Sequence, residues 1–161
     1  MTEIVSNTGP LIALCGIERV DLLWRLFDRV LVPTAVYNEM LAGEMGKAVF
    51  LQACSPDRLT VMEPEPQADP LLSSMLDEGE AAVIRLARAQ SIERVLIDER
   101  KGRKVARGIY GLQPWGTARI LLEAKAAGML ATVQPELERM RGNGYRIHDN
   151  IVRTVLELAG E

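Results

Sequence analysis

"RVLIDERKGRKVARG", residues 94–108, sets a short β-branched run directly against a basic one, with two carboxylates at the seam. Val95, Leu96 and Ile97 are apolar without alternation, as in a strand buried on both faces. The segment after them is rich in arginine and lysine and closes at Gly111, so 100–111 reads as a helix. A strand that feeds straight into a helix is the building unit of a parallel sheet. Its junction holds Asp98 and Glu99.

The same pattern recurs on either side. Ile4-Val5 reads as a first strand. Asn7-Thr8-Gly9-Pro10 makes a turn, with Pro10 suited to a first helical position, and a short helix runs through Leu14. "VDLLWRLF" (20–27) reads as a helix, and "RVLVP" (29–33) as a buried strand stopped by proline. "PTAVYNEMLAG" (33–43) is a helix, with Thr34 as a candidate cap and Gly43 at its end. "GKAVFLQAC" (46–54) is another. "RLTVMEPEP" (58–66) reads as a strand entering a proline-rich surface loop. "DEGEAAVIRLARAQS" (77–91) is the clearest helix, with acids in its first turn and arginines later. "LQPWGT" (112–117) reads as a turn, and "ARILLEAKAAGML" (118–130) as a helix. The remainder reads as two helices broken at Gly142-Asn143-Gly144, and there is no internal repeat. Short apolar strands alternating with helices predict an α/β fold, a parallel sheet covered on both faces. Such sheets place their sites beyond the C-terminal ends of the strands.

The bulk composition narrows the classes. The chain has 161 residues, which suits one domain, and 48% of them are apolar, enough for a substantial core. Net charge is −3 with acids and bases mixed, so the strong basicity of a dedicated nucleic-acid binder is absent. A local basic stripe can still serve a nucleic-acid substrate. There are two cysteines, no Cys-x-x-Cys pair and one histidine, His148, which argues against a zinc site or a histidine-based triad. Cys15 and Cys54 read as free thiols in a reducing cytoplasm. No apolar stretch approaches the ~20 residues of a membrane span, and the start lacks the pattern of a signal peptide.

Acids collect where the sheet rule points. Asp98 and Glu99 follow one strand, Glu39 lies on the helix after another, and Glu80 opens the helix before the "VLI" strand. Asn7 ends the first strand. Mg²⁺ and Mn²⁺ prefer oxygen donors of this kind and relieve their mutual repulsion. Such ions activate water and stabilise charge at a phosphodiester. Each residue has a plainer reading. Glu39 fits a solvated helix face, and Glu78 and Glu80 suit a helix N-terminus. Asp98 fits the cap of the helix starting at Arg100, with Glu99 a first-turn acid.

The ordered set "IVSNTGPLIAL", "VLVPTAVYNEML", "LDEGEAAVIRLA", "VLIDERKGRKVA" and "WGTARILLEAKAAGML" resembles the PIN-domain superfamily, in a branch close to the VapC-type toxins. The resemblance runs from residue 3 to roughly 150. It implies a three-layer α/β/α PIN-like fold over 1–161, with C-terminal helices at about 134–160. It implies a metal-dependent endoribonuclease, the toxin of a toxin–antitoxin pair, using Mg²⁺ or Mn²⁺ on RNA. By position, the family's acids fall on Asn7, Glu39, Glu80 and Asp98. Glu39, Glu80 and Asp98 would hold the ion, and Thr8, Glu99 and Thr117 would support it. Homodimers and an antitoxin protein are the partners it implies. Asn7 departs from the family's aspartate. Its amide oxygen can still coordinate a cation or orient a water, but it carries no charge. That substitution keeps a second reading open: a catalytically weakened PIN-fold module that binds RNA or a protein partner.

At helical spacing, Arg100, Arg103, Lys104 and Arg107 share one side of their helix. They fit either a phosphate-gripping surface or a solvated face. Trp115 suits packing or base stacking. Thr117 suits the pocket or a helix cap, and His148 the surface or a cap.

Overall fold

The computed structural model describes residues 2–66 and 69–161. Four apolar runs become strands because their β-branched residues fit a pleat buried on both sides. These are β1 (Glu3–Ser6), β2 (Arg29–Pro33), β3 (Leu59–Met62) and β4 (Arg94–Leu96). A fifth, β5 (Gln113–Trp115), completes an all-parallel sheet of order β3-β2-β1-β4-β5. The helices α1 (Thr8–Gly16), α2 (Asp21–Leu26), α3 (Thr34–Ala42), α4 (Lys47–Ala53) and α5 (Pro70–Met75) precede β4. So does α6 (Glu78–Ala89), and α7 (Arg100–Gly108) joins β4 to β5. The chain then adds α8 (Thr117–Ala126), α9 (Gln134–Gly142) and α10 (Asp149–Ala159). Helices flank the sheet, giving the three-layer α/β/α arrangement.

Three readings need correction. "LQPWGT" is not simply a turn, because Gln113–Trp115 forms the edge strand β5. Proline cannot donate to a ladder and is confined to edges, so Pro114 disguises a strand too short to show a period. Thr34 does not cap α3: Pro33 holds that position and no side-chain cap bond forms. The loop after β3 leads into a helix, α5, which the proline-rich composition concealed. Asp69 caps it by accepting from Leu72 N at 3.1 Å.

Ile4, Val5, Leu31, Val32, Val95, Leu96 and Ile97 are fully buried. Each such side chain contributes about 1.5–3 kcal/mol. This core fixes where the strand ends fall. The chain runs β1, β2, β3 toward one edge, then crosses to β4 on the other side of β1. The direction of winding reverses between β1 and β4, and such a switch opens a crevice at the C-terminal ends of the two strands. Ser6 pairs with Leu96, and Asn7 N donates to Leu96 O at 3.0 Å. Asn7 and Asp98 therefore leave the sheet side by side. No helix among the described residues is long and apolar enough to cross a membrane.

Candidate active site

Asn7 stands at the N-cap position of α1, where asparagine usually accepts from the helix. Here it makes no side-chain cap bond. Its Oδ1 turns toward α6 and lies 3.5 Å from where a β-carbon on Gly79 would stand. Glu39, on α3, reaches the same place: a β-carbon on Gly79 would collide with its Oε1. Its other oxygen accepts from Thr8 Oγ1 at 3.0 Å. Gly79 thus lets two oxygen donors from different elements approach the start of α6, where the helix dipole favours negative charge. The plainer reading of Glu39 is half right. The residue is exposed, yet its carboxylate is tied to Thr8.

Glu80 is 5% exposed, and its Oε1 is buried with no hydrogen-bond partner. Asp77 supplies the cap of α6 by accepting from Glu80 N at 2.8 Å, so Glu80 itself is not a capping acid. Gly102 on α7 lets that helix close over the carboxyl, since a β-carbon there would lie 3.0 Å from Glu80 Oε1. Burial raises the Glu80 pKa above the usual carboxylate range, and the charges of Asp77 and Glu99 push the same way. A partnerless buried carboxylate oxygen is costly.

Asp98 is held quite differently. Its Oδ1 accepts from Thr117 N at 2.7 Å, and its Oδ2 accepts from Thr117 Oγ1 at 2.5 Å. Tyr145 donates its hydroxyl to the same Oδ2. Asp98 is a capping residue after all, but of α8 rather than α7. Glu99 holds the N-cap position of α7 without a side-chain bond. Burial, then the charge of Asp98, drives the Tyr145 phenol far above its ordinary pKa. Arg103 donates to Ile97 O at 3.0 Å, which brings its guanidinium beside Asp98. Burial and then Arg107 lower its pKa, with Asp98 opposing them.

The expected cage of three acids is not formed. Among the described residues no three His, Cys, Asp or Glu side chains stand close enough to hold one metal ion. The acids divide in two. Glu39 and Asn7 meet at Gly79, next to Glu80, while Asp98 is drawn toward α8 and Tyr145. Thr117, 2% exposed, both begins α8 and holds Asp98.

A cleft of about 870 Å³ joins Asn7, Asp98 and Glu99 to a basic wall of Arg100, Arg103, Lys104 and Arg107. The four cations share this face as the helical spacing requires. Tyr145, Arg146 and His148 line the same cleft. The sequence reading missed Tyr145 and Arg146. They lie in the break after Gly144, and Tyr145 meets Asp98 from 47 residues away, so no local period marks it. His148 is exposed at the N-cap position of α10. Trp115 packs rather than stands free: the Phe27 ring lies 5.4 Å away centre to centre in a T-shaped arrangement, and the Arg119 guanidinium lies 3.8 Å from its centre. Cys15 and Cys54 are free thiols, and burial, with Cys54 nearby, pushes Cys15 up to about 12.

No curated protein and no solved structure matches the chain. A family model described as a PIN domain matches residues 3–161. That match spans every element of the sheet and every residue of the cleft, and so the chain belongs to the PIN-domain family, whose fold is of nuclease type.

Proposed function

We propose that this chain is a metal-dependent endoribonuclease of the PIN type. The observation that carries the reading is the Glu80 carboxylate oxygen, buried and partnerless one residue along α6 from Gly79, where Glu39 and Asn7 meet. The donors fit a hard divalent cation: all are oxygens, and Glu80 offers a buried acceptor with no hydrogen-bond partner. Glu80 and Glu39 would hold Mg²⁺ or Mn²⁺ with Asn7 as a neutral donor, and Asp98, drawn toward α8 and Tyr145 in this structure, would join them only on release from that contact. Such an ion supplies an activated water and stabilises charge on the phosphodiester. The chain's own residues do the rest. Thr8 fixes Glu39, and Thr117 fixes Asp98. Arg100, Lys104 and Arg107 are exposed on the cleft wall, placed to hold phosphates as the strand enters. Cleavage of an RNA panel with Mn²⁺ or Mg²⁺, against EDTA, tests the reading. Asp98→Ala is expected to abolish cleavage, and undiminished activity in that variant refutes it.

The toxin role, an antitoxin partner and a homodimer extend this reading from the resemblance to VapC-type toxins. Growth arrest on expression, relieved by the product of a neighbouring gene, is the expected outcome.

Asn7 and the engaged state of Asp98 favour a second reading, a PIN-fold module that binds RNA without cutting it. Calorimetric titration separates the two. RNA binding without Mn²⁺ uptake at millimolar concentration supports the module. In that case Asn7→Asp is expected to create or strengthen Mn²⁺ binding.

A further inference from the structure

We propose that Tyr145 is a removable plug over Asp98, so that the chain as folded here masks part of its own cation site. The proposal rests on the ion-binding reading above. A carboxylate has about four lone-pair sites. Both positions on Asp98 Oδ2 are taken, by the hydroxyls of Thr117 and Tyr145. One position on Oδ1 accepts from Thr117 N. On the remaining side, Oδ1 and Arg103 Nη1 both lie within 3.3 Å of where a β-carbon on Gly116 would stand. A cation approaching there meets a guanidinium. The oxygen that can be freed at least disturbance is Oδ2, and the donor that must leave is Tyr145.

Thr117 cannot be that donor. Its N–H and hydroxyl grip one oxygen each from the first residue of a helix, so the carboxylate plane is already fixed without Tyr145. Tyr145 instead sits on a strap between α9 and α10 that belongs to neither. A few bonds pin the strap. Asn143 Nδ2 donates to Gly16 O at 3.0 Å, Tyr145 N to Met140 O at 3.0 Å, and Arg141 Nη2 to Ile147 O at 2.9 Å and to Asp149 Oδ1 at 2.6 Å, while the Tyr145 and Ile147 side chains rest partly buried against the core. Gly144, at φ +88°, supplies a left-handed joint just before the tyrosine. Swinging the strap moves Tyr145 away from Asp98 without disturbing the sheet. Arg146 and His148 lie on the same strap and line the cleft, so a polyanion in the cleft contacts the element that carries the plug.

Calorimetric titration of Mn²⁺ into the wild-type chain, Tyr145→Phe, Asn143→Ala and Asp98→Asn tests this without any substrate. Tyr145→Phe removes the hydroxyl and keeps the packed ring. Its Mn²⁺ Kd is expected to tighten about ten- to hundredfold, the worth of one hydrogen bond to a charged group. Asn143→Ala loosens the strap and is expected to tighten binding by a smaller factor. Asp98→Asn is expected to weaken it. If Tyr145→Phe and Asn143→Ala bind no tighter than wild type while Asp98→Asn binds more weakly, the plug is wrong and the ion site stands. If no variant takes up Mn²⁺, both ideas fall. Uptake by Asp98→Asn at the wild-type Kd removes Asp98 from the ion and overturns the plug with it.

Discussion

Glu80→Gln should make the metal-free protein more stable, an unusual outcome for a change at a buried polar residue. The carboxyl is 5% exposed and one of its oxygens has no partner. Its pKa is raised by burial first, then by Asp77 and Glu99. In the unfolded chain the group returns to an ordinary value near 4.5. A raised folded pKa means the native state binds the proton more tightly than the unfolded state does. The group therefore adds nothing below the unfolded value, and it costs stability as pH rises through the folded value. Glutamine carries no charge, so it escapes this cost. A buried, unsatisfied polar group costs about 1–3 kcal/mol, more when charged. Neutralising it should return about 1–2 kcal/mol after the glutamine amide's own burial. For a chain of this length that is a rise in Tm of about 2–8 °C.

Thermal unfolding in EDTA from pH 4 to 8 measures this. The Tm gap between Glu80→Gln and wild type should be widest at neutral pH and close toward pH 4. Added Mn²⁺ should reverse the order, because only the wild-type carboxylate gains a counter-charge. A variant less stable than wild type in EDTA at pH 8, or a gap that ignores pH, would refute the argument that Glu80 is held against its preference.

Gly79→Ala should weaken Mn²⁺ binding, because its methyl would push the Glu39 carboxylate tip aside, while Tm should hold or rise, since Glu39 is exposed and alanine favours a helix by about 1 kcal/mol; unchanged binding would contradict the packing described. Thr117→Val should cost about 1–3 kcal/mol in denaturant unfolding, since it removes the hydroxyl donor to Asp98 while keeping the volume of the side chain. The triple change Arg100→Gln, Lys104→Gln, Arg107→Gln should weaken RNA binding alike for all sequences. It should also flatten the slope of log K against log salt by about 2, and a sequence-selective loss would show that these side chains read bases. Glu161→Gln should lower Tm at neutral pH, because the carboxylate accepts from Val133 N, Gln134 N and Lys125. Those bonds depress its pKa to about 2, so the difference should shrink as pH falls from the unfolded value of 4.5 toward 2.

What could be read from the sequence depended on how local each cause was. The buried strands declared themselves because Val30–Val32 and Val95–Ile97 must be apolar on both faces. The order of helices and strands then forced a parallel sheet. The placement of Asn7 and Asp98 at neighbouring strand ends was legible for the same reason, since both follow a strand in such a sheet. β5 was not, because a three-residue edge strand with a proline inside has no period to detect. The two-part arrangement of the acids was hidden more deeply. Thr117, 19 residues downstream, fixes the Asp98 carboxylate, Tyr145 meets it from 47 residues away, and no local pattern ties either to it.

The glycines show the same limit from the other side. In the sequence, Gly79 and Gly102 look like weak points in two helices, each unfavourable by about 1 kcal/mol relative to alanine. In the fold Gly79 lets Glu39 and Asn7 approach the start of α6, and Gly102 lets α7 close over Glu80. The cost is local and visible in one dimension, while the return lies between elements that only the sheet brings together. The partnerless Glu80 oxygen has the same origin: α7 closes over it at Gly102 and brings no donor with it. The chain thus builds an acceptor that no donor among the described residues satisfies, while the hydroxyl of Tyr145 satisfies Asp98 from within. One half of the proposed site leaves an oxygen unsatisfied and the other is already engaged, so under the proposed plug the strap carrying Tyr145 decides whether Asp98 joins a bound cation.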